Sequence, residues 1–147
     1  MKELLYLKDE QLKVLIEKLF VGYREIFSDS KKILDKYSIG LAHNKVIHLL
    51  SIYEGISISE LLKHLKVTKQ SLNRVLKDLI NLKAIKYEKD QVDTRIKHVF
   101  LTEEGEKLFN EIFSAQKKRI YQAFSASKAN EVVSFDNVLK KIINGKI

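Results

Sequence analysis

The sequence predicts a mainly α-helical fold with one small β-hairpin, and three observations support that prediction. Apolar residues recur at helical spacing through most of the 147 residues. Pro is absent and Gly occurs only 5 times, so the commonest helix breakers are scarce. Between Ala84 and Thr102 the apolar period changes from that of a helix to that of a strand. The length indicates one domain that can bury a real core.

Two helices are predicted before residue 54. The first runs from about Asp9 to Lys36, with a kink near residues 28–30, and its apolar side carries Leu12, Leu15, Ile16, Leu19, Phe20, Tyr23, Ile26, Phe27, Ile33 and Leu34. The stretch "YSIGL" then interrupts the pattern. The second helix is predicted from about Ala42 to Tyr53.

A helix-turn-helix is predicted next. Ser57 followed by Glu60 has the spacing of a capping box, which opens a short helix. Lys66 and Val67 form a tight connection to Thr68, whose hydroxyl can cap the following helix, "KQSLNRVLKDLINL". That helix has an apolar stripe of Leu72, Val75, Leu76 and Leu79. Two short helices joined by such a turn are typical of a helix-turn-helix.

A two-stranded hairpin follows, and helices complete the chain. "AIKYE" is predicted to pair with "RIKHVFLT" across the loop "KDQVD". Thr102 then caps a helix whose first turn holds Glu103 and Glu104, where the helix dipole favours acids. After "SASKAN" a last helix carries further apolar residues.

The charge distribution points to a polyanionic partner. The formal net charge is +8, and residues 66–100 hold nine Lys or Arg against four Asp or Glu. No run approaches the roughly 20 apolar residues of a membrane span. "MKELLYLKDEQ" returns to charge too soon for a signal peptide, which predicts a cytoplasmic protein. With no Cys, the chain can form neither a disulfide nor a thiolate metal site.

Two neighbouring sets of polar side chains are predicted to contact DNA. The apolar stripe of the helix "KQSLNRVLKDLINL" is expected to turn inward. Its exposed face then carries Lys69, Gln70, Ser71, Asn73, Arg74 and Lys77. At the hairpin tip, Asp93 and Arg95 lie two apart, which on an extended chain puts them on one side, where the acid can hold the guanidinium. Lys89, Lys97 and His98 are close enough to touch phosphates. Each set alone could be an ordinary solvated surface.

The segment "SISELLKHLKVTKQSLNRVLKDLINLKAIKYEKDQVDTRIKHVFLTEEGEKL" resembles the winged helix-turn-helix of the MarR family of transcriptional regulators. Its most specific part is similar to the family's D-x-R and L-T-x-x-G pattern, and the matching residues are Asp93, Arg95, Leu101, Thr102 and Gly105. Where the family usually has Gly at the end of the recognition helix, this chain has Lys83. Either the helix ends differently or Lys83 is strained, because Gly suits a left-handed cap better than Lys.

The resemblance implies a homodimer that binds a palindromic operator in double-stranded DNA and usually represses transcription. Many such proteins release DNA when a small-molecule effector binds between their dimerisation and DNA-binding parts. The resulting division is an N-terminal dimerisation helix at 1–36, a DNA-binding region at 37–101 and C-terminal dimerisation helices at 102–147, all within one compact domain. The alternative is a winged-helix protein-interaction module without specific DNA recognition.

Other functional classes have weaker support. His43 and His48 are five apart, off a common helical face, and no thiolate exists, so no metal site is predicted. No phosphate loop, nucleophile elbow or acid-base set occurs, so neither enzymatic activity nor a cofactor is predicted. Several aromatic residues could line a ligand cavity, but their helical spacing favours the core: Phe20, Tyr23, Phe27, Tyr37 and Tyr53.

Overall fold

The computed structural model describes residues 4–145 and confirms the predicted fold class, mainly α with a small antiparallel sheet. The helices are α1 (Asp9–Ser28), α2 (Lys31–Lys36), α3 (Leu41–Ile52), α4 (Ile58–Leu65), α5 (Lys69–Asn81), α6 (Glu103–Ser125) and α7 (Ala129–Asn144). The strands are β1 (Ile56–Ser57), β2 (Ile85–Lys89) and β3 (Lys97–Leu101), and a 3-10 turn (Leu5–Leu7) precedes α1. Within the described residues, no helix is long and apolar enough to cross a membrane.

The predicted first helix is in fact two helices, which separate at Asp29 and Ser30. The Ser30 hydroxyl donates to the Phe27 carbonyl at 3.0 Å and accepts from the buried Gln116 amide at 3.3 Å. Short polar side chains compete in this way for backbone groups and favour helix ends. Asp29 accepts two hydrogen bonds from Arg119, at 2.6 and 2.9 Å, and so fixes the break against α6.

The helix-turn-helix consists of α4 and α5. Ser57 accepts the Glu60 N–H at 3.1 Å, but the reciprocal bond of the predicted capping box is absent from the hydrogen bonds of residues 4–145. Lys66 ends α4 in the left-handed conformation, with φ of 52°. Thr68 then caps α5 by accepting the Ser71 N–H at 3.1 Å, as predicted. This cap fixes where the exposed face of α5 begins.

The sheet has three strands in the order β1-β3-β2, one more than predicted. The hairpin of β2 and β3 is in register from Ile85 opposite Leu101 to Lys89 opposite Lys97, which leaves a loop of residues 90–96. β1 adds Ile56 opposite Val99. A strand of only two residues has no alternation to detect, so it carries no signal in the sequence. β1 ties the hairpin directly to the start of α4.

Burial is concentrated in the middle of the chain. Apolar residues that are at most 1% exposed come from α3, α4, α5, β3 and α6: Val46, Ile47, Leu61, Leu72, Leu76, Leu79, Val99 and Ile112. The described residues of α1 and α7 include no buried side chain, although both helices are amphipathic. Three aromatic residues predicted for the core, Phe20, Tyr23 and Tyr53, are exposed, because the helix faces that carry them lie outside this core.

Lys83 does adopt the left-handed conformation, with φ of 59°. Its N–H donates to the Ile80 carbonyl, and the Ala84 N–H donates to the Leu79 carbonyl, both at 2.9 Å. These two bonds form a Schellman motif, which satisfies the last carbonyls of α5. Of the two alternatives left by the sequence, the helix therefore ends in the usual geometry and Lys83 bears the strain.

The end of α5 is joined to the start of α6 beneath the hairpin. The Thr102 hydroxyl donates to the Lys83 carbonyl and accepts the Gly105 N–H at 3.0 Å, while the Thr102 N–H donates to the Ala84 carbonyl at 3.0 Å. A Cβ on Gly105 would lie 1.9 Å from the same Ala84 oxygen. Packing thus explains the L-T-x-x-G pattern. The Thr102 hydroxyl bonds both the end of α5 and the start of α6, and only Gly fits at position 105 against the Ala84 carbonyl.

Candidate nucleic-acid interface

The exposed face of α5 is basic and polar. Burial of the predicted apolar stripe leaves all six predicted contact residues exposed: Lys69, Gln70, Ser71, Asn73, Arg74 and Lys77. Gln70, Asn73, Arg74 and Lys77 follow the i, i+3, i+4, i+7 pattern and share one side of the helix. The only acid in α5, Asp78, instead pairs with His43 on α3 at 2.9 Å. The basic face therefore carries no opposing charge of its own helix.

His43 is a fixed contact between α3 and α5. Its Nδ1 accepts the Gly40 N–H at 3.1 Å, so Nε2 carries the proton that is donated to Asp78. This contact fixes α5 against α3 at the flank of its basic face. Neither His43 nor any other histidine forms part of a metal-like group, because residues 4–145 contain no cluster of three or more His, Cys, Asp or Glu with metal-site geometry.

A groove of about 520 Å³ separates α5 from the hairpin loop. Its polar lining includes four of the predicted contact residues, namely Lys69, Asn73, Arg95 and Lys97. Ser57 and Ser59, at the start of α4, line the same groove and carry no signal in the sequence beyond the helix cap. The structure therefore brings together the helix and loop residues that the sequence could only predict separately.

Ser71 lies apart from this groove. It lines a smaller apolar groove with Leu41 and Val67, between α3 and the turn before α5. Its Oγ accepts a hydrogen bond of 2.8 Å from the Thr68 hydroxyl. Of the six predicted α5 residues, Ser71 is therefore the one tied most closely to the helix cap.

Arg95 is held by Asp93 at the tip of the loop. Its Nε donates to Asp93 Oδ1 at 3.1 Å and its Nη2 to Oδ2 at 3.0 Å, while 89% of its side chain is exposed. The Arg95 N–H also donates to Asp93 Oδ1 at 3.0 Å, and the Ile96 N–H closes a turn onto the Asp93 carbonyl. The prediction that the two side chains meet is correct, but the predicted extended geometry is wrong. They meet because the chain turns there.

This pair has a defined charge state. The side-chain bonds and the N–H bond from Arg95 lower the pKa of Asp93, and the Asp93 carboxylate raises the pKa of Arg95. The bidentate contact uses one edge of the guanidinium and leaves Nη1 and the outer N–H groups directed away from Asp93. Arg95 is thus a fixed, fully ionised donor rather than a mobile surface cation.

Asp90 and His98 anchor the base of the same loop. Asp90 Oδ2 accepts the N–H groups of Val92 and Asp93 at 3.0 and 2.9 Å, and Oδ1 faces His98 Nε2 at 2.8 Å. These bonds lower the pKa of Asp90 to about 2, and the bond from the Asp93 N–H has the largest effect. The expectation that His98 touches phosphates does not fit its position, because its ring is turned inward and is only about 30% exposed. Lys97, the first residue of β3, has its Nζ 5.4 Å from the centroid of the Tyr87 ring.

A second, apolar groove of about 490 Å³ lies where α1 and α3 face α6. Its lining comprises Ile26, His48, Phe113, Gln116, Lys117, Ile120, Tyr121, Phe124 and Ser125. Burial lowers the pKa of His48, so the neutral ring is favoured there. None of the aromatic residues that the sequence suggested for a cavity belongs to this lining.

Known proteins resemble this chain in sequence and in fold. The sequence model that describes the MarR family matches residues 41–96, from the start of α3 to the end of the hairpin loop. The HTH-type transcriptional regulator PetP of Rhodobacter capsulatus is 38% identical over 141 residues, covering 96% of this chain and 85% of the relative.

Two solved structures of Staphylococcus aureus MepR, each of a point mutant, have the same fold at 20% identity. The first, from a multidrug-resistant clinical isolate, superposes with a TM-score of 0.75 over 99% of each chain. The second, bound to an oligodeoxyribonucleotide, superposes with a TM-score of 0.60 over 91% of this chain and 96% of that one.

Proposed function

The chain belongs to the MarR family of transcriptional regulators, and from that premise we propose that it is a homodimeric repressor that binds a palindromic DNA operator. DNA is the partner in the oligodeoxyribonucleotide-bound MepR structure. In this chain, the basic side chains of α5 and of the hairpin loop provide the charge that would match DNA phosphates. The observation that carries the proposal is the shared groove in which Lys69 and Asn73 lie beside Arg95.

In this proposal α5 enters the major groove and the loop of residues 90–96 is the wing. Gln70, Asn73 and Arg74 offer the amide and guanidinium donors and acceptors that read base edges, while Lys69 and Lys77 suit phosphates. Ser71 has a smaller role in DNA contact, because it lies outside the groove and its Oγ accepts a hydrogen bond from Thr68. Its hydroxyl hydrogen stays available to donate to DNA. These roles follow from side-chain chemistry on an exposed helix face.

The wing residue that would contact DNA is Arg95. A narrow minor groove has an enhanced negative potential that attracts Arg, and Asp93 keeps this guanidinium in one orientation at the tip. Lys97, at the edge of the same groove, would contact the backbone. Asp93 then contributes by orienting Arg95, without touching DNA itself.

A second copy of the chain is the proposed partner of the exposed apolar faces of α1, α6 and α7. Large apolar residues that are at least half exposed include Ile16, Phe20, Tyr121, Val133, Phe135, Val138, Ile142 and Ile143. They lie on the terminal helices, outside the core that supports α5 and the wing. A symmetric dimer would bury them and set two recognition helices roughly 34 Å apart, one turn of DNA.

The groove between α1, α3 and α6 is the proposed effector site. It is apolar, large enough for a small molecule and lies between the terminal helices and α3, which packs against α5. A ligand there would contact α6 directly, and α6 joins the end of α5 through Thr102. We therefore expect a ligand of this groove to change operator affinity.

The decisive experiment selects bound duplexes from random DNA and then measures binding of the selected duplex at several salt concentrations. The expected result is an enriched palindrome whose affinity falls steeply with salt, because several phosphate contacts release counterions. Sedimentation at micromolar protein should show a dimer, and a stable monomer would contradict the proposed assembly. A protein that enriches no sequence would instead support the winged-helix interaction module.

A further inference from the structure

The His98 ring lies between two hydrogen-bond acceptors. Nδ1 is 2.7 Å from the Gly55 carbonyl oxygen, and Nε2 is 2.8 Å from Asp90 Oδ1. A carbonyl and an ionised carboxylate can only accept, and a neutral imidazole has one N–H to donate. Both contacts are therefore satisfied only when His98 carries two protons.

His98 begins a continuous set of hydrogen bonds that ends at the wing tip. Gly55 belongs to the turn between α3 and β1, outside the hairpin. Asp90 connects His98 to the backbone N–H groups of Val92 and Asp93. Asp93 in turn holds Arg95 through both carboxylate oxygens. The orientation of Arg95 relative to α5 thus depends on a contact between two residues, His98 and Gly55, that are 43 apart in the sequence.

We propose that doubly protonated His98 is the positioning residue of the wing, and that operator binding weakens when His98 loses one proton. The proposal rests on the proposed contact of Arg95 with DNA. In the neutral form, one ring nitrogen would present its lone pair to an acceptor, so one of the two contacts is lost. The loop then has fewer bonds to the body, and binding must restore the order that the protonated ring supplies in advance.

The charges around His98 favour the protonated ring. Asp90 faces it from the loop and Glu60 acts on it from α4. Glu88, opposite it on β2, is paired with Lys86 at 3.6 Å, and its neighbour on β1 is the uncharged Ser57. The Asp90 contact first, and the Gly55 carbonyl second, raise the pKa of His98 above its ordinary value of 6.5. The anchored wing is therefore complete below pH 6.5 and is lost as pH rises through the raised pKa.

Asp90→Asn is the informative variant. The Asn carbonyl can still accept from the Val92 and Asp93 N–H groups, since Asn forms the same turn as Asp. Its amide N–H can donate to Nε2 of a neutral ring, so the same two contacts no longer need the second proton. This variant separates the charge of the ring from the packing of the loop.

The test measures binding of the selected duplex between about pH 5.5 and 9, where His titrates and Asp90 stays ionised. Parent protein should lose affinity roughly fivefold per wing as pH rises, the factor expected for one net hydrogen bond. Asp90→Asn should show a flat profile, and His64→Gln, which changes an exposed histidine on α4, should match the parent. Nitrogen NMR of the ring should show His98 doubly protonated above its ordinary pKa.

Four results separate the ways in which the proposal can fail. An Asp90→Asn profile that falls like the parent's, or a His98 ring that titrates at or below 6.5, overturns the positioning role. If Arg95→Ala binds as tightly as the parent at low pH, the wing contact itself fails. If Arg95→Ala weakens binding while the parent profile is flat, the wing contact stands and the role of His98 is refuted.

Discussion

Gly105→Ala tests the junction that supports the wing. The added Cβ would lie 1.9 Å from the Ala84 carbonyl oxygen and 2.9 Å from its carbonyl carbon, and both are backbone atoms. The start of α6 would have to retreat by about 1 Å to reach the 3.0 Å that real Cβ contacts respect. That movement also stretches the Thr102 N–H bond to the Ala84 carbonyl, now 3.0 Å.

The expected magnitude follows from three opposing effects. Inserting a methyl group into a packed site costs about 1–3 kcal/mol, and weakening one buried backbone hydrogen bond adds about 1 kcal/mol. Replacing Gly by Ala in a helix returns up to about 1 kcal/mol. Because the clash involves backbone that cannot rotate away, we expect unfolding free energy to fall by about 2–3 kcal/mol.

Urea unfolding at fixed protein concentration measures this change, since a dimer makes apparent stability concentration-dependent. Gly22→Ala is the matched control, because its Cβ on α1 meets nothing within 4 Å. The control should gain about 0.5–1 kcal/mol from reduced chain entropy. A Gly105→Ala protein with an unchanged slope and a midpoint at or above the parent's would refute the packing argument.

Further changes test the cap, the wing and the dimer. Lys83→Gly should raise unfolding free energy by about 0.5–1 kcal/mol in urea, because relief of left-handed strain exceeds the extra chain entropy of Gly, and a destabilised variant would contradict that account. Arg95→Ala should weaken operator binding roughly tenfold to a hundredfold by titration, with the dimer intact by sedimentation, and unchanged affinity would make the pair purely structural. Asp93→Ala should lose less in the same titration, since it removes only the orienting partner; an equal or larger loss would indicate a direct role. Phe135→Asp should convert the dimer to monomer in sedimentation, because it would bury an unpaired carboxylate, and a persistent dimer would exclude α7 from the interface.

The sequence predicted best those elements whose burial is periodic. The stripe of Leu72, Val75, Leu76 and Leu79 located α5, and it placed Lys69, Arg74 and Lys77 on the exposed face but gave no position for Asp78. The break at Asp29 was harder, because Phe27 and Leu34, seven residues apart, keep helical spacing across it. Contacts with the distant residues Gln116 and Arg119 help to fix it. Local pattern therefore located the helices but not all of their ends.

Contacts between distant segments could not be predicted. The contact between Asp93 and Arg95 could be predicted, because the two residues are only two apart. The turn that joins them was not predicted. The contact between His98 and Gly55 depends on the two-residue strand β1, which has no periodic signal. His98 therefore resembled any exposed histidine until the sheet was known.

The junction at Gly105 has a mechanical consequence for the proposed dimer. α6 spans 23 residues, so at about 1.5 Å per residue it is a rod of roughly 34 Å. Its first turn is clamped to the root of the wing, whereas Phe113 to Ser125, which line the apolar groove, lie along its far half. A rigid rod of that length, tilted by about 5° at one end, shifts the other by roughly 3 Å. In the proposed dimer, a ligand bound in the apolar groove would therefore have the leverage to move the two proposed recognition helices out of step with consecutive turns of the duplex.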